Sequence, residues 1–348
     1  MSRERIVLLG HPDGRINIRL RTAGLATGAL LALACAVLAG LALQAGALRL
    51  DTAQVVQALL GDGPPRLAAV VLQWRLPRVA MALVVGGALG MSGAIFQSLI
   101  RNPLGSPDVI GFNTGAHTGA LVTIVLLQGS YFEIAGGALA GGLAAAAVVY
   151  LLAWRDGIHG FRLIIVGIAV SAMLAAFNTW LTLHASLESA MSAALWGAGS
   201  LNGITWDKGL PSALFCCAAM LLALALGPRM RLLEMGDDGA SALGVPAERT
   251  RLQLMSLGVV LTAAATAAAG PISFIALAAP QLAQRLCRSH ATTLLCSAWM
   301  GALLLLAADY CGQHLFAPRQ LPVGVVTVSI GGLYLVWLLL RQSRPDPT

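Results

Sequence analysis

Long apolar runs dominate this chain, and each is close to the length of one bilayer-spanning helix. A bilayer core takes roughly 20 consecutive apolar residues per helix, and 57% of the 348 residues are hydrophobic while only 11% are charged. The runs are continuous and do not alternate, which disfavours a membrane β-barrel and favours helices. The sequence therefore predicts an all-α, polytopic integral membrane protein with about ten transmembrane helices. The expected spans are residues 23–45, 79–100, 104–127, 133–153, 162–183, 209–227, 252–271, 273–286, 292–309 and 322–340.

The distribution of basic residues predicts how these helices are oriented. If the N-terminus is cytoplasmic, most of the 22 lysines and arginines fall in cytoplasmic segments, as the positive-inside tendency requires. Both termini are then cytoplasmic. The predicted organisation is a tail at 1–22, one transmembrane domain at 23–340 with a long cytoplasmic loop at 228–251, and a tail at 341–348. The eighth span is short and starts at a Gly-Pro pair, so it is the least regular of the set.

Several classes of function find no support in the sequence. The single lysine, Lys208, follows no glycine-rich turn, so a P-loop is absent, and there is no GxSxG nucleophile motif. The six histidines have no helical i, i+3 or i, i+4 pairing, and the six cysteines form no CxxC pair. We therefore expect no catalytic residue, cofactor or metal site. The net charge of +7 is spread over the membrane faces and forms no stripe with aromatics, so nucleic-acid binding is not expected either.

Ionisable residues inside the spans would indicate an ion-coupled carrier, because they are costly in a bilayer unless they serve the transport path. His117 is the only titratable residue well inside a predicted span, and a neutral histidine bonded to a neighbouring helix explains it as well. A driving force outside the chain is favoured. An ion-coupled secondary transporter and a ligand-sensing membrane scaffold remain as alternatives.

Three segments resemble the signature segments of the FecCD-type permeases. They are RLPRVAMALVVGGALGMSGAIFQSLIRNPLGSPDVIGF (75–112), GPISFIALAAPQLAQRL (270–286) and LPVGVVTVSIGGLYLVWLL (321–339). These permeases are the inner-membrane subunits of ABC importers for iron-siderophores, haem and cobalamin. The resemblance implies a second homologous permease, two cytoplasmic ATPases and a periplasmic binding protein. Within the family the chain is most similar to heterodimer-forming permeases for a catecholate siderophore such as ferric enterobactin, with haem and cobalamin as alternative cargoes.

The charged segment MGDDGASALGVPAERTR (235–251) stands out in so apolar a chain. Acids at its start suit a helix N-terminus, and a glycine and a proline follow to stop the helix, so a short helix is predicted near 238–243. The resemblance places the family's ATPase-coupling element here. It implies that Ala240 and Leu243, three residues apart, enter a cleft of the ATPase. The residues assigned to coupling are Gly236, Asp237, Asp238, Gly239, Ala240, Leu243 and Gly244.

Two arginines in the motif RLPR, Arg75 and Arg78, lie on the predicted outer side against the positive-inside tendency. The resemblance implies that they meet acidic residues of the binding protein. A further arginine of the family's docking surface is replaced here by Gln313, although Arg319 lies in the same loop. Snorkelling of Arg75 and Arg78 at the membrane interface is the alternative explanation.

Small residues recur at four-residue spacing in the second and third spans, which permits close helix packing and also leaves room for a bulky substrate. We expect packing at Gly86, Gly90, Gly111 and Gly115. The pair Asn102-Pro103 breaks the helix that precedes it, and Asn102 is suited to cap the turn, which suggests a gate at this loop.

Overall fold

The structure is a computed structural model that describes residues 6–9, 18–46, 48–108, 111–154, 160–287, 293–315 and 319–342. Most of the described chain is helical, as predicted. The helices are α1 (Thr22–Gln44), α2 (Thr52–Leu60), α3 (Pro65–Ala69), α4 (Leu76–Ile100), α5 (Phe112–Val122), α6 (Tyr131–Ala153), α7 (Gly160–Leu183), α8 (Leu187–Gly197), α9 (Trp206–Glu234), α10 (Asp237–Ala242), α11 (Ala247–Ala269), α12 (Ile275–Cys287), α13 (Leu294–His314) and α14 (Val323–Gln342). Two π-helical stretches, Val70–Arg75 and Thr123–Leu127, join α3 to α4 and extend α5.

Each of the ten predicted spans has a helix at its position. Among the described residues, seven helical segments are long and apolar enough to cross a membrane, and Phe112–Leu127 is a shorter apolar segment. The described part of the eighth span, α12, begins at Ile275, four residues after the Gly-Pro pair, and covers 13 residues. The all-helical membrane fold expected from hydropathy is therefore confirmed.

The structure also corrects some boundaries. The third span begins at Phe112 and not at residue 104, because the preceding loop contains Pro103 and Pro107 and ends at Gly111, which has a left-handed φ of 93°. The second span is part of a continuous helical segment of 36 residues, Pro65–Ile100. Helices α2 and α8 were not predicted.

The two ends of the chain were predicted to be tails. In the N-terminal one, β1 (Ile6–Leu9) pairs antiparallel with β2 (Ile18–Arg21), which is a small exception to the all-α prediction. Most of the C-terminal tail, residues 343–348, lies outside the described residues. Helices α9 and α11 extend well into the predicted loop 228–251, so that only residues 235–246 separate them.

Helices α4 and α11 form the centre of the bundle. In the most apolar stretch of the segment containing α4, 83% of residues are buried, and in α11 the value is 72%. Helix α4 packs on α9, α11, α12 and α13, whereas the most apolar stretches of α1, α6, α7 and α9 have no more than 28% of their residues buried. An apolar surface of this extent requires lipid or a partner subunit around it.

Two ends of the bundle carry the predicted functional residues. We refer to the end that contains α10 as the α10 end. The opposite end, where α2 and the N-terminal part of α4 lie, is the α2 end.

Candidate functional site

The segment predicted to couple the chain to an ATPase folds as the short helix α10, six residues long. Gly236 precedes it with a φ of 113°, and Gly244 follows with a φ of 78°. Both values lie in the region that favours glycine. Asp237 and Asp238 occupy the first turn, where the helix dipole stabilises negative charge. The predicted short helix and its glycine stop are present.

The side chains of this helix are distributed differently from the prediction. Ala240 is fully buried in the hydrophobic core, together with Leu233 and Val245. Leu243 is 60% exposed. Ala240 therefore supports the packing of α10 on the bundle and does not offer a surface to another protein. The Leu243 amide still donates to the Gly239 and Ala240 carbonyls. The chain turns after it, at Gly244, and the Val245 amide donates back to the Ala240 carbonyl, so Leu243 lies at the exposed end of α10.

Met235 was not assigned to the site from the sequence. Its side chain is 71% exposed at the start of the α10 segment. With Leu243 it forms a pair of exposed apolar side chains that flank α10, and we call this pair the α10 apolar pair. A large apolar residue two positions before a pair of aspartates, in a segment between two spans, is a signal that could have identified it in the sequence.

Asp237 is fixed by two arginines from other helices. Arg251 of α11 donates to both of its carboxylate oxygens at 2.7 and 2.8 Å, and the Arg101 guanidinium lies 3.5 Å away. The hydrogen bonds from Arg251 lower the pKa of Asp237, so the carboxylate is charged at neutral pH. Asp238 is exposed, and Gly239 has no close neighbour beyond its own helix that would exclude a side chain.

At the α2 end, the predicted docking arginines are engaged within the chain. Arg75 donates to the carbonyl oxygens of Leu43 and Gln44, at 2.7 and 3.2 Å, and to that of Leu48 at 2.5 Å. These carbonyls lie at and just beyond the C-terminus of α1, where a cation is favourable. Arg75 therefore joins α1 to the helical segment that leads into α4.

Arg78 forms a bidentate ion pair with Asp309 of α13. Its Nε and one terminal nitrogen each lie 2.8 Å from a carboxylate oxygen, and Gln313 donates to the same carboxylate at 2.8 Å. The exposed fraction is 15% for the Arg78 side chain and only 3% for that of Asp309. This geometry leaves little of Arg78 for an external partner. It also gives Gln313 a role inside the chain.

Arg319 presents the opposite situation. It is exposed in the loop between α13 and α14, and within the described residues no hydrogen bond or ion pair engages it. Of the three arginines assigned to docking, Arg319 is the one whose guanidinium has no partner in the part of the chain that the structure describes.

The small-residue stripes lie where helices cross closely. A Cβ atom at Gly86 would clash with the Gly301 carbonyl, and one at Gly90 would clash with the Ser297 carbonyl, so both face α13. A Cβ atom at Gly115 would clash with Ala145 of α6, and one at Gly111 with Ser171 of α7. These contacts within the subunit support the packing interpretation over a role in lining a path.

The loop after α4 contains the Asn102-Pro103 pair. The Asn102 side-chain oxygen accepts a hydrogen bond of 2.9 Å from the Leu104 amide, which stabilises the turn as an Asx-type cap. The Pro103 carbonyl accepts from the Gln281 side chain of α12 at 2.8 Å. The loop is therefore tied to a second helix at the α10 end.

Comparison with known proteins identifies the family. A model of the FecCD transport family matches residues 30–341. The chain belongs to the FecCD transport family. It is 60% identical over 320 residues to the ferric enterobactin transport system permease protein FepG of Escherichia coli (strain K12), covering 92% of this chain and 97% of that protein. It is 37% identical over 341 residues to the achromobactin transport system permease protein CbrC of Dickeya dadantii (strain 3937), covering 95% and 96%.

A solved structure shows the same fold. An inward-facing conformation of a metal-chelate type ABC transporter matches with a TM-score of 0.81 at 27% identity, over 90% of this chain and 98% of that one. FecCD members are permease subunits of ABC importers and not enzymes, as the sequence predicted. Family membership implies a partner permease, an ATPase and a substrate-binding protein, and it places the chain in a membrane as a multi-pass protein.

The histidine, cysteine and acidic residues that the structure describes can be checked for a metal site. Among the described residues, no group of three or more histidine, cysteine or acidic side chains is placed to hold a metal ion. The His117 ring stacks on Trp196 of α8, with the ring planes 7° apart and their centroids separated by 6.0 Å. This contact gives His117 a packing role in the span.

Proposed function

We propose that the chain is the permease of an importer that carries a ferric siderophore, of the catecholate type exemplified by ferric enterobactin, across a bacterial inner membrane. The observation that carries this proposal is the 60% identity along 97% of a relative named for ferric enterobactin transport, against 37% for the achromobactin relative. The absence of a metal-ligand cluster in the described residues agrees with iron travelling inside its chelator.

The proposed assembly is a heterodimer of this chain with a homologous permease, two ATPases at the α10 end and a periplasmic binding protein at the α2 end. The α10 end and both termini are then cytoplasmic, in agreement with the distribution of basic residues. The exposed apolar faces of α1, α6, α7 and α9 supply the surfaces for lipid and for the partner permease.

The cargo is tested by complementation of cells that lack this permease but retain its partners. We expect the intact chain to restore uptake of labelled ferric enterobactin. Restoration of only labelled haem or cobalamin uptake would assign a different cargo. If no chelate is taken up and no ATPase co-purifies, the importer proposal itself is wrong.

We propose that the ATPase contacts the α10 apolar pair, Met235 and Leu243, and not Ala240 with Leu243, and the exposure of these side chains supports this. Exposed apolar side chains beside fixed charges are typical of protein interfaces, and a buried alanine contributes only to internal packing. Asp238 and the backbone at Gly236 and Gly244 position this surface.

Substitution of Leu243 by aspartate is expected to reduce ATPase co-purification about tenfold, because a carboxylate then replaces an apolar contact at the interface. The amount of protein in the membrane should stay unchanged, since Leu243 is 60% exposed. Leu104→Asp is the control, because Leu104 is 48% exposed at the same end of the bundle but lies outside α10.

Ala240→Glu gives the contrasting result. A charge in this fully buried position should lower the amount of folded protein before any effect on docking is seen. If the ATPase co-purifies normally with the Leu243→Asp variant, the proposed contact is wrong. Normal folding of Ala240→Glu would refute the burial of Ala240.

Arg319 is the proposed docking arginine for the binding protein. Arg319→Glu should weaken binding of the loaded binding protein about tenfold, because charge pairs of this type govern encounter and register. Arg319→Lys keeps the charge and should retain most of the affinity. Affinity is measured on the intact assembly in lipid nanodiscs, and equal affinity for the Glu and Lys variants would argue against docking at Arg319.

A further inference from the structure

The last turn of α4 is attached to the α10 segment by side chains from three helices. Arg101 directly follows α4, and its guanidinium donates to the Leu233 carbonyl at 3.1 Å and lies 3.5 Å from Asp237. One turn earlier, the Ser98 hydroxyl donates to Glu234 at 2.9 Å. The end of α4 therefore contacts the chain immediately before α10 and the first residue of α10.

The backbone of Arg101 is also unusual. Its φ is 54°, a left-handed conformation that non-glycine residues rarely adopt. Its amide donates to the carbonyls of Gln97 and Ser98 and so ends α4. The residue is held in a conformation that costs energy, at the junction between the central helix and the loop that begins with Asn102-Pro103.

The ion pair itself contributes little to folding stability. The side chains of Arg101 and Asp237 are 54% and 50% exposed, and ion pairs at such positions are usually worth little because water and salt screen them. Arg251, in contrast, is only 14% exposed and fixes Asp237 from the other side. If Arg101 had only a structural role, removal of its side chain would thus have almost no effect on folding stability or on transport.

We propose that Arg101 is a positioning residue that transmits the state of the ATPase, docked on α10, to the end of α4. The transmission runs from the α10 apolar pair through Asp237 to Arg101. From there it reaches the loop whose Pro103 carbonyl is bonded to Gln281 of α12. This inference rests on the proposed importer function, because it requires an ATPase at α10. Coupling between two distant sites needs a structural element whose position responds to both of them. The end of α4 is such an element, because it is bonded to the α10 segment and leads directly into the loop that is bonded to α12.

The experiment uses the full assembly with its partner permease and ATPase in proteoliposomes, with and without the loaded binding protein. Arg101→Ala should assemble normally and keep the basal rate of ATP hydrolysis. In this variant, the stimulation of ATP hydrolysis by the loaded binding protein should fall by about fivefold or more, which is the usual size of a coupling between distant sites. Arg101→Lys should restore most of the stimulation. Arg249→Ala is the matched control, because Arg249 is an exposed arginine near the start of α11 with no ion pair among the described residues.

A second variant tests whether the contact with Asp237 is responsible. Asp237→Asn should also lower stimulation, and Arg101→Ala added to it should cause little further loss, because both changes break the same contact. Unchanged stimulation in Arg101→Ala, an equal loss in Arg249→Ala, or fully additive losses in the double variant would each overturn the role of Arg101. If the intact chain recruits no ATPase, the proposed function fails first, and the Arg101 role fails with it.

Discussion

Replacement of Asp309 by alanine should destabilise the chain by about 3–5 kcal/mol, because it leaves the Arg78 guanidinium without its partner in a largely buried site. The Arg78 side chain is only 15% exposed, and Gln313 loses its acceptor by the same change. The thermal midpoint of the purified protein in detergent and the amount of protein in the membrane measure this effect. The result would show that Arg78 of the RLPR motif holds α4 against α13.

Two variants make this prediction specific. Arg78→Met combined with Asp309→Leu removes both charges and should recover most of the stability, since the cost comes from the unpaired charge. Asp207→Ala removes an exposed acid near the α2 end and should have almost no effect. A thermal midpoint for Asp309→Ala equal to that of the unmodified chain would contradict the buried ion pair.

Substitution of Gly90 by alanine should cost about 1–3 kcal/mol or more, because the added methyl group would clash with the Ser297 carbonyl and lie 3.1 Å from the Gly301 Cα atom. Backbone atoms of α13 cannot rotate away as a flexible side chain would. The helices must separate, and the many buried contacts between α4 and α13 weaken with them.

Gly87 provides the matched control for Gly90, three residues earlier on the same helix. A Cβ atom there would lie no closer than 3.6 Å to any neighbour. Gly87→Ala should therefore be neutral or stabilise the protein by up to about 1 kcal/mol, the usual helix preference for alanine over glycine. If both variants have the same thermal midpoint, close packing at Gly90 is not what holds α4 to α13.

The sequence by itself determined the features that depend on local chemistry. Apolar length fixes where helices can cross a bilayer, so each predicted span has a helix at its position. Acids followed by glycine and proline placed α10, and Gly244 has the left-handed φ that suits a glycine after a helix. In each case the residues that decide the structure are neighbours in the chain.

Only the tertiary structure decided which side chains are available to partners. Arg78 and Asp309 are 231 residues apart in sequence, and no local pattern connects them. Ala240 and Leu243 satisfy the same helical spacing, yet one is buried and the other exposed, because only Ala240 lies on the side of α10 that packs on the bundle. Arg101 and Arg251 both reach Asp237 because folding brings the end of α4 and the start of α11 beside α10. Hydropathy and helix signals act over a few residues, whereas the burial and pairing of a charged side chain depend on which helices become neighbours when the bundle packs.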